Sequence, residues 1–398
     1  MKIVKKICLV LLFTATGIVG GFLLITGWFY VTCPVYFFEE PEPFTGNKLY
    51  NPYQNMVDGA WMKSVFHLHT KSWMGLTNGE NTFREVTDVY RQLNYDVVAI
   101  SDYMSINRNK TANLPYIPVY EHGYNIKKTH QLALGADRVL LRDYFFWQNL
   151  HHKQHIIDLM KKNSVLVAVN HPTMRSSYPP DNFKYLRGYD LFEVQNGTHL
   201  SEKAWDVALS NGHPVWLIAN DDAHTVNNPA RLQREVTFIN VPPSNEQAHI
   251  LKYLSQGAAF GVHFPRKSHS TMDDKMQEAG TVSFPATIQV NEDTLLVVWR
   301  QMMQQIEFIG DNGKVLKTVT DSDSVSYVIR PEDSYVRVKL TSPENLVYYL
   351  NPVVRYQDDV PVKHLSNRVD KWKTFLKRIL FAIISGTMIV YFFKKFLH

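Results

Sequence analysis

His67 and His69, in Val65-Phe66-His67-Leu68-His69-Thr70, stand two residues apart after an apolar run, and Asp222 and His224 repeat that spacing in Asn220-Asp221-Asp222-Ala223-His224. Side chains at i and i+2 of an extended segment point to one face, so each pair can approach a single ion together. Glu121, His130, His171 and Glu193 lie between the two pairs in the chain. Imidazoles mixed with carboxylates suit Zn, Mn or Fe. Such a site supports hydrolysis, because a bound divalent cation brings the pKa of water towards neutrality. One His-x-His is a weak signal. Joined to a late Asp-x-His, with glutamate and histidine between, it is much stronger.

The ligand types stand where short apolar runs stop. Ser64-Val65-Phe66 leads to His67, Asp96-Val97-Val98-Ala99-Ile100 to Asp102, and Ile117-Pro118-Val119-Tyr120 to Glu121. Val165-Leu166-Val167-Ala168-Val169 leads to His171, Leu191-Phe192 to Glu193, and Val215-Trp216-Leu217-Ile218 to Asp221, Asp222 and His224. Near-continuous apolar runs are the pattern of strands buried on both faces. Helical stretches separate them at Thr82–Leu93, His151–Lys162 and Ser201–Asn211. This alternation predicts an α/β chain with a parallel sheet. Polar residues gathered at the carboxyl ends of the strands predict a barrel with its site at that mouth. Unrelated strand caps would explain the Asp residues, but histidine is not a favoured cap.

The rest of the chain bounds the reading. With 398 residues, 45% apolar and 20% charged, it is long enough for a barrel and an accessory module. The formal net charge is +5. Several of its cations sit beside the two apolar ends, and no basic stripe crosses the middle, which argues against nucleic acid as a partner. Cys8 and Cys33 make neither a disulfide framework nor a CxxC metal site. Ile7 to Phe38 carries no charge and follows Lys2, Lys5 and Lys6. It predicts an uncleaved anchor in the cell membrane with the bulk of the chain on the extracytoplasmic side. A cleaved signal peptide is the alternative. Ile379 to Phe393, between Lys377-Arg378 and Lys394-Lys395, is expected to be a second span or an interfacial helix.

Glu246–Gln256 reads as a helix, and from Val282 to Tyr356 short alternating strands follow, with a hairpin signal at Asp311-Asn312-Gly313-Lys314. The expected organisation is an anchor at 1–38, a linker at 39–60, the barrel at 61–265 and a linker at 266–281. A small all-β sandwich at 282–358, a juxtamembrane linker at 359–378 and a terminal helix at 379–398 follow.

Phe66-His67-Leu68-His69-Thr70, the run Val97 to Asp102, Glu121, Thr129-His130-Gln131-Leu132-Ala133-Leu134-Gly135, Asn170-His171-Pro172, Phe192-Glu193-Val194-Gln195-Asn196 and the run Asn220 to His224 carry a resemblance. Over residues 60–262 the chain resembles the polymerase and histidinol phosphatase (PHP) superfamily of metal-dependent phosphoesterases. The resemblance implies a distorted (β/α)7 barrel. It implies one ion on His67, His69, Glu121 and Asp222, and a second on Glu121, His130 and His171. The family's third ion uses a residue shortly after His-x-His, a histidine directly after the Asp of the second strand, and the last histidine. Asn78 and Tyr103 stand at the first two positions, and only His224 remains. Neutral Asn and Tyr are poor ligands, so two divalent ions (Zn, Mn or Fe) are expected. His224 would then be a general acid or still a metal ligand. Glu193 would ligate or support a ligand, and Asp102 would support one. Arg175, shortly after His171, would offset charge on the phosphoryl oxygens, with Arg142 a weaker candidate.

The activity so implied is a membrane-tethered phosphoesterase. Two ions about 3.5–4 Å apart would activate a hydroxide for in-line attack on phosphorus. Membrane attachment suggests a lipid, envelope or extracellular phosphate ester as substrate, and tethering alone does not fix which. Cleavage of a carboxyl ester or carbamate by the same ions is one alternative. A degenerate ligand-binding domain without turnover is another, motivated by Asn78 and Tyr103.

Overall fold

Apolar runs that stop at ligand types become strands with both faces covered. In the computed structural model, which describes residues 2–197, 199–244, 246–357 and 365–396, seven strands lead to the site. They are β1 (Trp61–Val65), β2 (Val97–Val98), β3 (Val119–His122), β4 (Gln131–Leu134), β5 (Leu166–Val169), β6 (Leu191–Asn196) and β7 (Trp216–Asn220). Each of the six expected runs overlaps one of them. Every residue of β3 to β7 is buried.

β4 was not among the expected strands. His130, which immediately precedes it, therefore stands at a strand start rather than on a helix. β3 and β4 are joined by residues 123–130 and pair antiparallel, Glu121 opposite Leu132. A link that short cannot hold the helical crossover that a parallel pair requires. β4 and β5 are also antiparallel, whereas β5, β6 and β7 are mutually parallel.

These strands do not form one continuous parallel barrel. One sheet runs β7-β6-β5-β4-β3, and β1 and β2 belong to a second sheet. The two sheets meet at single parallel bridges, Leu68 with Ala223 and Tyr103 with Glu121. Both bridges lie at the carboxyl ends, where the ligand types are. β1 instead gives its edge to β8 (Glu235–Asn240), which pairs with β9 (Ala259–His263). The C-terminal strands are β10 (Pro285–Asn291), β11 (Thr294–Gly310), β12 (Lys314–Val328), β13 (Tyr335–Thr341) and β14 (Val347–Leu350). The hairpin expected at Asp311 to Lys314 joins β11 to β12. The expected separate sandwich is not separate in its hydrogen bonding. β14 pairs with β9, so β10-β11-β13-β14-β9-β8-β1-β2 is one sheet. An open β9 edge would leave unpaired backbone groups, and β14 satisfies them.

The helix α1 (Lys2–Thr32) is followed by α2 (Phe83–Gln92), α3 (Leu150–Lys161), α4 (Glu202–Ser210), α5 (Gln247–Ser255), α6 (Met272–Gly280) and α7 (Lys371–Phe396). Four helices, α2 to α5, fall within a residue or so of the expected stretches, whereas α1 starts and ends about five residues early, α6 occupies the expected linker at 266–281, and α7 starts eight residues inside the expected juxtamembrane linker. Thr82 starts α2 with a capping box: its hydroxyl accepts from the Glu85 amide, and the Glu85 carboxylate accepts from the Thr82 amide at 2.7 Å. α4 is pinned to β13 by a buried fork. Arg337 Nε and Nη2 donate to the two Asp206 oxygens at 2.7 and 2.8 Å, and Nη2 also donates to Glu202 at 2.7 Å.

Among the described residues one helix, Val4–Thr32, is long and apolar enough to cross a membrane or to serve as a signal sequence. Its last carbonyls are capped from α7: Lys377 Nζ donates to Tyr30 and Cys33 oxygens at 3.0 Å, and Arg378 to that of Thr32 at 3.0 Å. Cations belong at a helix C-terminus, where the macrodipole is negative.

Candidate metal centre

Seven predicted side chains converge where the two sheets touch: His67, His69, Glu121, His130, His171, Asp222 and His224. Asp222 Oδ1 lies 3.1 Å from His67 Nε2, 3.2 Å from His69 Nε2 and 3.6 Å from His224 Nε2. Glu121 Oε1 lies 3.3 Å from His67 Nε2, 2.7 Å from His130 Nδ1 and 3.0 Å from His171 Nε2. Its other oxygen is 3.2 Å from His69 Nε2. Asp222 and His224 are partly exposed, and the other five are buried.

The donor set fits divalent cations. His67 Nε2, both His69 nitrogens, His130 Nε2, His171 Nδ1, Glu121 Oε2 and Asp222 Oδ1 are buried with no hydrogen-bond partner. Leaving such groups unpaired costs about 1–3 kcal/mol each, so the cluster needs an occupant. Ligands at about 2.0–2.2 Å from a tetrahedral ion sit roughly 3.3–3.6 Å apart. The approaches among His67, His69, Glu121 and Asp222 run from 3.1 to 3.3 Å. Two triads of one-atom ligands emerge, His67-His69-Asp222 and His67-Glu121-His171. The division differs from the expected one, because His67 belongs to both triads. His130 reaches the second only through Glu121.

Charge coupling keeps the site assembled. Burial would lower the pKa of His67, but Asp222, Glu193 and Glu121 outweigh it and hold it well above its ordinary value. His69 and His171 are raised for the same reason, while burial prevails for His130 and lowers it. Glu121 is held well below the carboxylate range: burial would raise it, and His130 and His67 overcome this. Asp222 is lowered likewise, against burial, by His67 and His69. Burial and the neighbouring His69 push His224 down to about 4. It is therefore neutral at pH 7, a state that suits a ligand or base better than the proton donor that was one expectation for it.

A second layer orients the ligands. Glu193 Oε1 is 2.8 Å from His67 Nδ1, which fixes the tautomer that leaves Nε2 for an ion. Its oxygens also accept from the His171 amide at 2.9 Å, Asn196 at 2.9 Å and Asn220 at 3.0 Å. Those bonds leave Glu193 a supporting role. Asp102 accepts from the Thr70 amide at 2.7 Å and from its hydroxyl, which ties down the loop after His69. Two of the candidate ligands carry backbone strain: φ is 24° at His171 and 50° at Asp222. The Glu193–His171 amide bond holds the first of these. Gly123, at φ 130°, makes room for His130, since a Cβ there would lie 2.4 Å from the ring.

Arg175 is not brought to the cluster. It sits on an exposed turn and donates to the Ile126 carbonyl at 3.2 Å. Arg142 lies farther off, bonded to Thr32 at 3.0 Å. The cations beside the ligands are instead Arg231 and Arg234, which line a cavity of about 360 Å³ with Asp222 and His224. Sequence reasoning missed them. Asp221 places their loop by accepting from the Gln233 and Arg234 amides at 2.7 Å. The one available signal was an arginine pair shortly after Asp-x-His. Asn78 and Tyr103 line a second cleft.

No family model matches the chain, and no curated protein matches it. Among solved structures it is similar to the crystal structure of a two-domain protein containing a predicted PHP-like metal-dependent phosphoesterase from Bacteroides vulgatus. The identity is 13% and the TM-score 0.42, with 79% of this chain and 99% of that chain covered. So distant a likeness leaves the function of this chain to the geometry of its own site.

Proposed function

We propose that this chain is a membrane-anchored, metal-dependent phosphoesterase with its body on the extracytoplasmic side. The observation that carries this reading is the pair of triads sharing His67, whose buried, unpartnered nitrogens and oxygens face one another. His67, His69 and Asp222 would hold one divalent ion, and Glu121 and His171, with His67 between, a second. Bound ions supply Lewis acidity and lower the pKa of water. The chain does the rest. Glu193 and Asn220 lock His67, and the closed sheet ends exclude bulk water. Arg231 and Arg234 present cations on the Asp222 side of the site, where they would offset the charge of the phosphoryl oxygens. His224, neutral and partly exposed there, is placed to receive a proton. Two arginines at the mouth favour a phosphate ester over a neutral carboxyl ester.

The test is turnover by the purified full chain, loaded with Mn or Zn, on a soluble phosphomonoester, a phosphodiester and a carboxyl ester. Phosphate release that His67→Ala abolishes is expected. Bound metal with no turnover of any ester would replace this reading with a binding domain.

A further inference from the structure

Three loops around the second cleft expose large apolar side chains that a soluble surface would hide. On the first, Met74 is 100% and Leu76 86% exposed, and Trp73 and Met74 hold positive φ values of 50° and 54°. The Trp73 indole anchors this loop by donating to the Tyr103 carbonyl at 2.7 Å, which leaves Met74 and Leu76 presenting a contiguous apolar surface outward. On the second lie Tyr124 and Ile126, and on the third Leu141 (69%) and Trp147 (62%).

The third loop is already attached to the apolar helix. The Phe145 ring packs edge-on against Phe22, centroids 5.1 Å apart, and Tyr30 bonds the Phe146 and Trp147 backbone at 3.0 Å. Phe22 lies ten residues before the end of α1, which is about 15 Å along a helix axis. The Lys377, Arg378 and Arg142 cations ring that end. If cations mark the headgroup level, Phe145 reaches below it, and the exposed residues beside it are at the bilayer surface. The first two loops join it through the cleft of about 600 Å³ that Trp73, Leu76, Tyr124, Lys128 and Leu141 line together with Tyr103. Tyr103 forms its inner wall and stacks on His69 at 4.3 Å.

We propose that this cleft admits a membrane lipid carrying a phosphate ester directly from the bilayer. The acyl chains would leave along Leu76, Tyr124 and Leu141, Lys128 would meet the headgroup, and the ester would reach the ligands past Tyr103. The proposal rests on the membrane-anchored phosphoesterase reading above. In the step, a water oxygen bonds to phosphorus, the ester phosphorus–oxygen bond breaks, and the water's proton goes to the leaving oxygen.

The test uses the full chain in phosphatidylcholine vesicles containing a nitroxide-labelled acyl chain. Trp73 emission, taken as the difference between wild type and Trp73→Phe, is expected to be quenched by the nitroxide lipid and shielded from aqueous iodide. Quenching by iodide with no effect of the nitroxide overturns the proposal. In a second arm, turnover of phosphatidic acid in vesicles is compared with that of a soluble aryl phosphate. Leu76→Asp with Leu141→Asp is expected to lower the lipid-to-soluble ratio about tenfold or more, because an acyl chain would then meet carboxylates in place of apolar side chains. An unchanged ratio overturns the proposal. Lipid quenching without turnover of either ester would instead sink the phosphoesterase reading and leave the docking surface standing.

Discussion

Tyr103 lies flat against His69, with ring centroids 4.3 Å apart and planes 20° apart, and His224 lies parallel to the same imidazole at 4.4 Å. The tyrosine fills with an apolar face the place where the resemblance puts a third ion's histidine. Burial first, then Glu121 and Asp222, push its pKa up, so it stays neutral in the metal-free site. Tyr103→His is expected to raise bound metal from two to three ions per chain, measured by elemental analysis of dialysed protein. A stoichiometry that stays at two would show that Tyr103 is not what excludes the third.

Glu193 touches no ion in this reading, yet it anchors His67 at 2.8 Å. Glu193→Gln keeps the shape and removes the charge that orients the imidazole. Metal affinity is expected to fall about 10–100-fold, read by competition with a chromophoric chelator. An unchanged affinity would make Glu193 a packing residue only.

The metal-free and metal-loaded forms should respond to pH in opposite directions. His67, His69 and His171 are raised above 6.5, so their contribution is complete below pH 6.5 and is lost as pH rises through the folded values. Glu121 and Asp222 are held below their ordinary 4.5 and 3.8, so theirs is present above those values and lost as pH falls. These five groups together stabilise the metal-free chain most between pH 4.5 and 6.5, while His130 and His224, both lowered, oppose them as pH falls below 6.5. Ions require the deprotonated ligands, so the gain in Tm on adding Zn should grow as pH rises above 6.5. Thermal melts with and without Zn across that range check it, and a gain that shrinks with pH would contradict it.

Arg337 is 1% exposed and forked onto Asp206. Arg337→Ala leaves that carboxylate buried without its partner and should cost about 3–5 kcal/mol. Arg337→Met fills the space but leaves the same charge, so adding Asp206→Leu to it should recover much of the loss. Denaturant or thermal unfolding of the three variants checks the order.

Gly123→Ala should displace His130, because the new Cβ would fall 2.4 Å from the ring, at a φ that L-residues rarely adopt. Bound metal is expected to drop by one ion while His67 and His69 keep theirs. Full retention of both would show that His130 is dispensable.

Much of the site was legible in one dimension, for a local reason. Two-residue spacing and strand ends decide which side chains share a face, so His67 with His69 and Asp222 with His224 could be paired from sequence alone. The capped helix at Phe83–Gln92 and the hairpin at Asp311 were legible for the same reason, since caps and turns are made by neighbours. What depends on contacts between distant segments was not. β4 pairs back on β3 because their link is short, and β14 joins β9 because that edge needs partners. Arg234 reaches the site, and Arg175 does not, because Asp221 holds one loop by its amides while Arg175 bonds the Ile126 carbonyl. Glu193 could be placed beside the ligands from sequence, but only its four hydrogen bonds, made to residues up to 126 positions away, decided that it supports His67. Covalent spacing determined which groups were available, and tertiary packing decided which of them meet.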